Sequence, residues 1–257
     1  MEKEAFVNVM KRYELKYRLS KDQLAYFKKE ISKYMKIDKY GLTSIASLYF
    51  DTPDFLLINR SIEKPKYKEK LRLRSYGLAD SKTETFLEIK RKCEGVVYKR
   101  RISLLEDQAF DLIAHKKKIS NEQINRELVA FLNNYQKLEA KYLIIYDRLA
   151  FYQDDSDLRI TIDMNPRYRT HNLNLHTSME GEPLLDGGEA ILEIKVQNAI
   201  PLWLVEILSK GKIYQNSFSK VGNAHIREMK KKEENKQINL QTLYEQLKGG
   251  QTYGLTI

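Results

Sequence analysis

The sequence predicts an α+β fold, in which an eight-stranded antiparallel sheet has one charged face and one apolar face. Eight segments alternate with period two between apolar and polar residues, which is typical of strands with two different surroundings. Lysine and arginine dominate the polar positions. Segments with helical spacing fill the gaps, and we expect those helices to cover the apolar faces.

The predicted strands are spread along most of the chain, at 11–19, 43–51, 67–76, 84–92, 96–104, 140–152, 158–164 and 190–196. In the first, Glu14 and Lys16 alternate with Leu15 and Tyr17. The third begins within the stretch KPKYKEKLRLR (64–74), which repeats a basic residue at every second position. Such a stretch places all of its positive charges on one face of a strand.

The helices are predicted from caps and apolar spacing. Ser20 and Gln23 form a capping box, and apolar residues recur at helical spacing up to residue 35. Further helices are predicted at 106–117, 121–137, 201–210, 218–236 and 240–247. Because no repeat or low-complexity linker interrupts the pattern, we expect one domain over 1–257, with a core at about 10–225 and a helical C-terminal extension at 226–257.

The composition favours an anionic partner in a reducing compartment. The chain of 257 residues has a formal net charge of +10, which attracts nucleic acid, acidic membranes or phosphorylated molecules. Cys93 is the only cysteine, so neither a disulfide framework nor a cysteine zinc site is expected. The first residues do not resemble a signal peptide, and the apolar stretches are shorter than a membrane span. We therefore expect a cytoplasmic protein without a membrane segment.

The alternation leaves two interpretations open. The polar faces carry Arg12, Lys16, Arg18, Lys70, Arg72, Arg74, Lys90, Lys99, Arg101, Arg148, Arg159 and Lys195, against Glu14, Glu88, Asp163 and Glu193. If the sheet closes into a barrel, these cations line its interior and repel one another unless a polyanion binds there. An open sheet with a solvated basic face would favour RNA, but base stacking calls for aromatic residues, and the charged faces carry few.

The motifs RYELKY, SLYFDT, KLRLRSYG, FLEIKRK, YKRR, YDRLAF, LRITID, LEIKV and SFSK occur in this order over roughly residues 10–225. Together they resemble the triphosphate tunnel metalloenzyme superfamily, and within it the catalytic domain of the vacuolar transporter chaperone (VTC) proteins. The resemblance implies a closed eight-stranded antiparallel β-barrel with helices on the outside. It also implies a polyphosphate polymerase, which uses Mn²⁺ or Mg²⁺ and moves the terminal phosphoryl group of ATP onto inorganic polyphosphate.

The polar faces and the resemblance together predict the site residues. The expected catalytic residues are Lys16, Arg72, Arg74, Lys90, Lys99, Arg148, Arg159 and Lys220. Further substrate-binding residues are Arg12, Arg101, Lys195, Ser217 and Ser219. Glu193 resembles the metal-binding glutamate, with Glu14 and Glu88 as additional candidates. Hydrolytic and cyclase members usually begin with E-x-E-x-K, and here Arg12 replaces the first glutamate, which favours the polymerase branch.

Two other functions fit the same residues. One is a triphosphatase of the same superfamily, and the other is a non-catalytic module that binds polyphosphate or inositol pyrophosphate. The expected partners are ATP and inorganic polyphosphate rather than nucleic acid, and any coupling to a membrane would need a partner protein. The sequence carries no pattern that indicates an oligomeric state.

Overall fold

The fold is described by a computed structural model that covers residues 13–63, 65–94, 96–116, 123–154 and 156–249, with side chains to residue 241. Within these residues the strands are β1 (Tyr13–Leu19), β2 (Lys36–Ile37), β3 (Thr43–Asp51), β4 (Tyr67–Tyr76), β5 (Thr85–Cys93), β6 (Val96–Leu104), β7 (Glu139–Tyr152), β8 (Arg159–Arg169), β9 (Glu182–Pro183) and β10 (Ala190–Val196). The helices are α1 (Lys21–Ile31), α2 (Leu56–Glu63), α3 (Glu106–His115), α4 (Gln123–Asn133), α5 (Leu202–Lys210) and α6 (Lys220–Gly249).

Eight long strands form one continuous antiparallel sheet in the order β1-β10-β8-β7-β3-β4-β5-β6. The short strands β2 and β9 pair with β7 and β8 outside this path. The eight strands predicted from the alternating pattern are therefore confirmed, and so is the α+β class.

The prediction of a closed barrel is wrong, because the sheet curls into a barrel that stays open. Within the described residues no backbone pairing joins the end strands β1 and β6. The segment after α5 takes the free edge of β1: Gln215 forms a bridge with Tyr17, and the Asn216 amide donates to the Lys16 carbonyl at 2.8 Å. Side chains still cross the gap, where Lys90 Nζ of β5 lies 3.1 Å from Glu14 of β1.

Helices cover the outer, apolar face of the curled sheet in two separate cores. On one half, Leu71, Leu73 and Leu87 are fully buried together with Leu112 of α3 and Phe131 of α4. On the other half, apolar residues of β1, β8 and β10 pack with α1 and α5; the buried members include Leu19, Phe27, Ile31, Ile160, Leu192 and Leu204. Burial of these faces fixes which side of each strand points inward, because strand side chains alternate.

A third core lies inside the curl, where the first turns of α6 pack against the inner face. Val221 and Ala224 of α6 are buried in one cluster with Tyr142 and Ile144 of β7 and Tyr168 of β8. These positions on β7 share the face of Tyr146 and Arg148. The helix therefore fills one end of the interior and leaves the rest open.

Two helix predictions need correction. The segments 218–236 and 240–247 form one continuous helix, α6, and not two. Helix α2 was not predicted, although Asp51 organises its start: its carboxylate accepts hydrogen bonds from the amides of Leu57 and Ile58 at 2.8 and 2.7 Å. This cap acts from six and seven residues away, so a local capping pattern does not show it.

Among the described residues, every helix is too short or too polar to span a lipid bilayer.

The packing of the inner core can be tested by mutation. Ile144 is fully buried although it points to the same side as the charged residues, so Ile144→Ala should lower the free energy of unfolding by about 2–5 kcal/mol. The matched control Ile238→Ala, at a position 61% exposed on α6, should change it by less than about 0.5 kcal/mol. Urea denaturation measures both values, and equal effects would contradict an inner core.

Candidate functional site

The open part of the curl holds a cavity of about 720 Å³ whose wall is strongly basic. Among the described residues, eleven lysines and arginines line it: Lys16, Lys70, Arg72, Arg74, Lys90, Lys99, Arg100, Arg101, Arg148, Lys195 and Lys220. The acidic lining residues are Glu14, Glu88 and Glu193. Two carboxylates behind the lining also compensate these cations, because Glu127 accepts from Arg100 and Asp163 pairs with Arg148 and Lys220. With all five carboxylates counted, a surplus of six positive charges remains.

Glu88 of β5 holds the cations of the neighbouring strands together. Its carboxylate, 1% exposed, lies within 2.7 Å of nitrogen atoms of Arg72 on one side and of Lys99 and Arg101 on the other. Burial opposes its ionisation, but the positive charges of Arg72, Arg74 and Lys99 outweigh it and hold the pKa of Glu88 far below its usual range. Its burial and its short contacts to three cations make Glu88 a counter-ion of the wall, and a poorer candidate for a metal ligand than Glu14, whose side chain is 21% exposed and whose lysine contacts are 3.1 Å or longer.

Asp163 of β8 has a similar role on the other half of the sheet. It is fully buried, accepts two hydrogen bonds from Arg148 at 2.6 and 2.8 Å, and forms an ion pair with Lys220 at the start of α6. Burial opposes its ionisation, but Lys220 and Arg148 lower the pKa of Asp163. The pairing positions Lys220 at the end of the cavity next to α6, which we call the inner end, although this lysine is 57 residues away along the chain.

Glu14 and Glu193 remain as the carboxylates that could hold a metal ion. Lys16 Nζ lies 3.3 Å from a carboxylate oxygen of each, on the paired strands β1 and β10. Burial raises the pKa of Glu14, but Lys90 and Lys16 outweigh this effect and lower it to about 2. Two ionised carboxylates that face a cavity fit a hard cation that takes its other ligands from phosphate oxygens and water. The described residues hold no cluster of three or more acidic, histidine or cysteine ligands.

Tyrosine hydroxyls orient several of the arginines. Tyr49 accepts a hydrogen bond from Arg72 at 3.1 Å, and Tyr146 accepts one from Arg74 at 3.0 Å. Lys220 Nζ also lies 4.5 Å from the centre of the Tyr146 ring. These contacts hold the side chains in place before any ligand binds.

Tyr49 and Lys70 lie side by side at the inner end, and both have displaced pKa values. Burial would raise the pKa of Tyr49, but Arg72 and Lys70 outweigh it and lower the pKa to about 7. Burial and the charges of Lys16 and Lys90 lower the pKa of Lys70 to about 8. Lys70 Nζ donates to Ser219 Oγ at 3.1 Å, and the same oxygen accepts from the Gly222 amide in the first turn of α6.

The structure brings most of the predicted site residues to this cavity. The lining includes Lys16, Arg72, Arg74, Lys90, Lys99, Arg148, Lys220, Arg101, Lys195, Ser219, Glu193, Glu14 and Glu88. Arg159 and Ser217 are exposed and are not part of the lining. The Arg159 guanidinium instead donates to the carbonyls of Ser156 and Leu158, and Arg12 lies outside the described residues.

The cavity lining also contains residues that were not among the expected site residues, namely Lys70, Tyr49, Tyr76, Val97, Tyr98, Arg100 and Tyr146. The alternating pattern had placed Lys70 on the charged face with Arg72 and Arg74, although not as a ligand. The sequence did not indicate that Tyr49 lines the cavity, because the segment 43–51 carries no cation. Only the register of β3 and β4, which sets Tyr49 opposite Arg72, shows its position.

In chemical terms, the cavity can bind a multiply charged phosphate anion. Arginine forks bind phosphate oxygens in a two-pronged manner, and lysines add point charges between them. Preorganised cations of this kind also stabilise the charge that develops on a transferred phosphoryl group.

The family comparison gives a match over most of the chain. A family model described as the VTC domain matches residues 11–237. No curated protein is similar enough in sequence to match.

Solved structures match this chain at low sequence identity. A candidate adenylyl cyclase from Hippeastrum, reported to have a dominant triphosphatase activity, matches with a TM-score of 0.51 and 17% identity, over 82% of this chain and 93% of that one. A candidate adenylate cyclase from Bacillus halodurans matches with a TM-score of 0.48 and 16% identity, over 82% and 96%. At such identities, the Hippeastrum match shows the fold alone.

Neutralising Glu88 tests its role as a counter-ion. Because Glu88→Gln leaves three close cations uncompensated, it should lower the free energy of unfolding by about 3–5 kcal/mol. Added tripolyphosphate should restore more stability to this variant than to the unchanged protein, because the anion replaces the lost charge. Thermal denaturation measures both effects. The control Glu189→Gln, which affects an ion pair with the more exposed Arg18, should cost less than about 1 kcal/mol.

The lowered pKa of Tyr49 predicts a pH-dependent change in ultraviolet absorbance. Its phenol should ionise near pH 7, and tripolyphosphate should move this transition to higher pH, because a bound anion offsets the cations that stabilise the phenolate. The ultraviolet absorbance of phenolate, followed against pH, measures the transition, and Tyr49→Phe should remove it. A transition that persists in Tyr49→Phe, or that ignores the anion, would contradict this assignment.

Proposed function

The chain belongs to the VTC domain family, and on that premise we propose that it is a polyphosphate polymerase that transfers the terminal phosphoryl group of ATP to inorganic polyphosphate. A terminal oxygen of the polyphosphate chain attacks the γ-phosphorus of ATP, and a new P–O bond forms. The bond from the γ-phosphorus to the β–γ bridging oxygen breaks, and ADP leaves with that oxygen. The attacking oxygen is already ionised, so the step needs positioning and charge compensation more than a base.

The charge of the cavity carries this proposal. With Asp163 and Glu127 counted as counter-ions, the wall holds a surplus of six positive charges, whereas a single nucleoside triphosphate supplies only about four negative charges. A second anion, such as the end of a polyphosphate chain, would balance the remainder. A wall built for two polyanions supports a transfer between them better than it supports hydrolysis of one.

The chain's own residues have separable roles in this reaction. Arg72 and Arg74 bind phosphate oxygens from the middle of the wall, and Glu88 and the tyrosine hydroxyls keep their guanidinium groups aligned. Lys220 binds from the inner end, where Asp163 holds it in place. Cations on opposite sides of the cavity can thus hold the attacking and leaving groups in line.

We further propose that Glu14 and Glu193 bind Mn²⁺ or Mg²⁺ together with phosphate oxygens. The two carboxylates share Lys16 as a neighbour, and Lys90 and Lys195 lie 3.1 and 3.5 Å from Glu14 and Glu193, so these ammonium groups would move aside when the metal ion binds. A divalent ion there would neutralise phosphate charge and polarise the P–O bonds. Reaction with ATP and an exposed free thiol at Cys93 both support a cytoplasmic location.

One observation favours the triphosphatase alternative. Helix α6 fills one end of the interior, so the cavity resembles a pocket for a short anion more than a channel that is open at both ends. In that case water would replace polyphosphate as the acceptor, and phosphate would be the product.

The decisive experiment is incubation of the protein with ATP and Mn²⁺, followed by electrophoresis that resolves polyphosphate lengths. A ladder of chains is expected, and free phosphate alone would support the triphosphatase instead. Arg72→Ala with Arg74→Ala should lower turnover by at least about a hundredfold, because both remove transition-state contacts. The control Arg18→Ala should retain turnover, because Arg18 pairs with Glu189 and is not part of the cavity lining.

A further inference from the structure

Two cations of the cavity wall have no carboxylate partner. Among the described residues, nine of the eleven lysines and arginines that line the cavity form an ion pair with a carboxylate, and Lys70 and Arg74 do not. The Arg74 guanidinium instead donates to the hydroxyls of Ser47 and Tyr146. The Lys70 ammonium donates to the hydroxyl of Ser219 at 3.1 Å. Positive charge at Lys70 is therefore not neutralised by a neighbouring carboxylate, and a phosphate group should bind favourably beside it.

The Ser219 hydroxyl lines the cavity at this place. Its oxygen also accepts a hydrogen bond from the Gly222 amide at 3.2 Å, in the first turn of α6. That single contact is sufficient to cap a helix, so capping alone does not explain the contact with Lys70. The two contacts together leave a hydroxyl group beside an ammonium group, on the wall where phosphate should bind.

Contacts on both sides of Ser219 fix its position in the chain. On one side, Lys16 Nζ of β1 donates to the Phe218 carbonyl at 3.3 Å. On the other side, Lys220 forms its ion pair with Asp163 of β8. Ser219 is thereby held in place before any ligand binds, which favours a reaction that depends on positioning more than on a base.

We propose that Ser219 is a phosphoryl acceptor, which attacks the γ-phosphorus of ATP bound in the cavity and becomes a phosphoserine. A bond forms between Ser219 Oγ and the γ-phosphorus. The bond from this phosphorus to the β–γ bridging oxygen breaks, and ADP leaves with that oxygen and its electron pair. The hydroxyl proton passes to a non-bridging oxygen of the transferred group and then to water, as the phosphoserine ionises. This inference rests on the proposed function, because it takes ATP to bind in the cavity.

The surroundings of Ser219 suit the product of this step. A phosphoserine carries about two negative charges at neutral pH and three acceptor oxygens. Lys70 and the Gly222 amide already contact Ser219 Oγ, and Lys220 is the next residue in the chain and lines the same cavity. The modified side chain would occupy the inner end of the cavity, so phosphorylated protein should bind tripolyphosphate at least about tenfold more weakly.

Incubation of the full chain with γ-labelled ATP and Mn²⁺, followed by denaturation, tests the acceptor. Denaturation removes ligands that are bound without a covalent bond, so the remaining label reports a modified side chain. Mass spectrometry of the peptides should locate one phosphoryl group on Ser219. The label should survive acid, as a serine phosphate ester does, whereas a phosphoramidate on Lys70 would be lost.

Three variants define the roles of the neighbouring groups. Ser219→Asn should lose the label, because asparagine is an equally good N-cap residue but has no hydroxyl group. Lys70→Gln should slow labelling at least about tenfold at saturating ATP, because it removes the positive charge beside the attacking oxygen. The control Ser217→Ala should be labelled like the unchanged protein, because Ser217 is exposed and is not part of the cavity lining.

The outcomes separate this inference from the proposed function. If the unchanged protein makes polyphosphate and releases ADP but carries no label on Ser219, the acceptor is wrong and the proposed function stands. The acceptor is also wrong if Ser219→Asn keeps the label or if the label is lost in acid. A label on Ser219 without polyphosphate supports the acceptor and contradicts the polymerase. If the unchanged protein neither binds ATP nor releases ADP, both fail.

Discussion

Buried carboxylates that compensate the repulsion of a cationic wall are the interaction on which this structure depends. Glu88 and Asp163 each bind cations on more than one element and are almost completely excluded from water. Unpaired charges at such depth would cost several kcal/mol each. With the carboxylates in place, arginines and lysines can be held within a few ångströms of one another and still point into a cavity.

The apolar cores make this arrangement possible, because they fix the inward side of every strand. Two cores on the outside leave one register available to each strand, since a slip by one residue would exchange the buried and the charged positions. The inner core adds the position of α6. Since Lys220 begins that helix, packing of Val221 and Ala224 against β7 also delivers a cation to the inner end of the cavity.

The distribution of charge has consequences for chemistry. Glu88 and Asp163 accept short contacts of 2.8 Å or less from arginine and lysine, so they stabilise the wall, whereas the cations around Glu14 and Glu193 lie at 3.1 Å or more. Carboxylates of the same type thus have different tasks because of their neighbours. The cations of the wall also lower the pKa of Tyr49 to about 7, so the ionisation of its phenol should depend on whether an anion is bound in the cavity.

The sequence by itself determined the strands, their charged and apolar faces, and most of the cavity residues, because alternation and residue type are local properties of a strand. Arg72, Arg74 and Lys90 could be assigned in this way. Only the tertiary structure decided whether the barrel closes, since residues 215–216 occupy the edge of β1 with which β6 would pair in a closed barrel. It also decided the pairing of Lys220 with Asp163, the placement of Arg159 outside the lining and the entry of α6 into the interior. These features depend on contacts between residues far apart in the chain, whose energies no local pattern records.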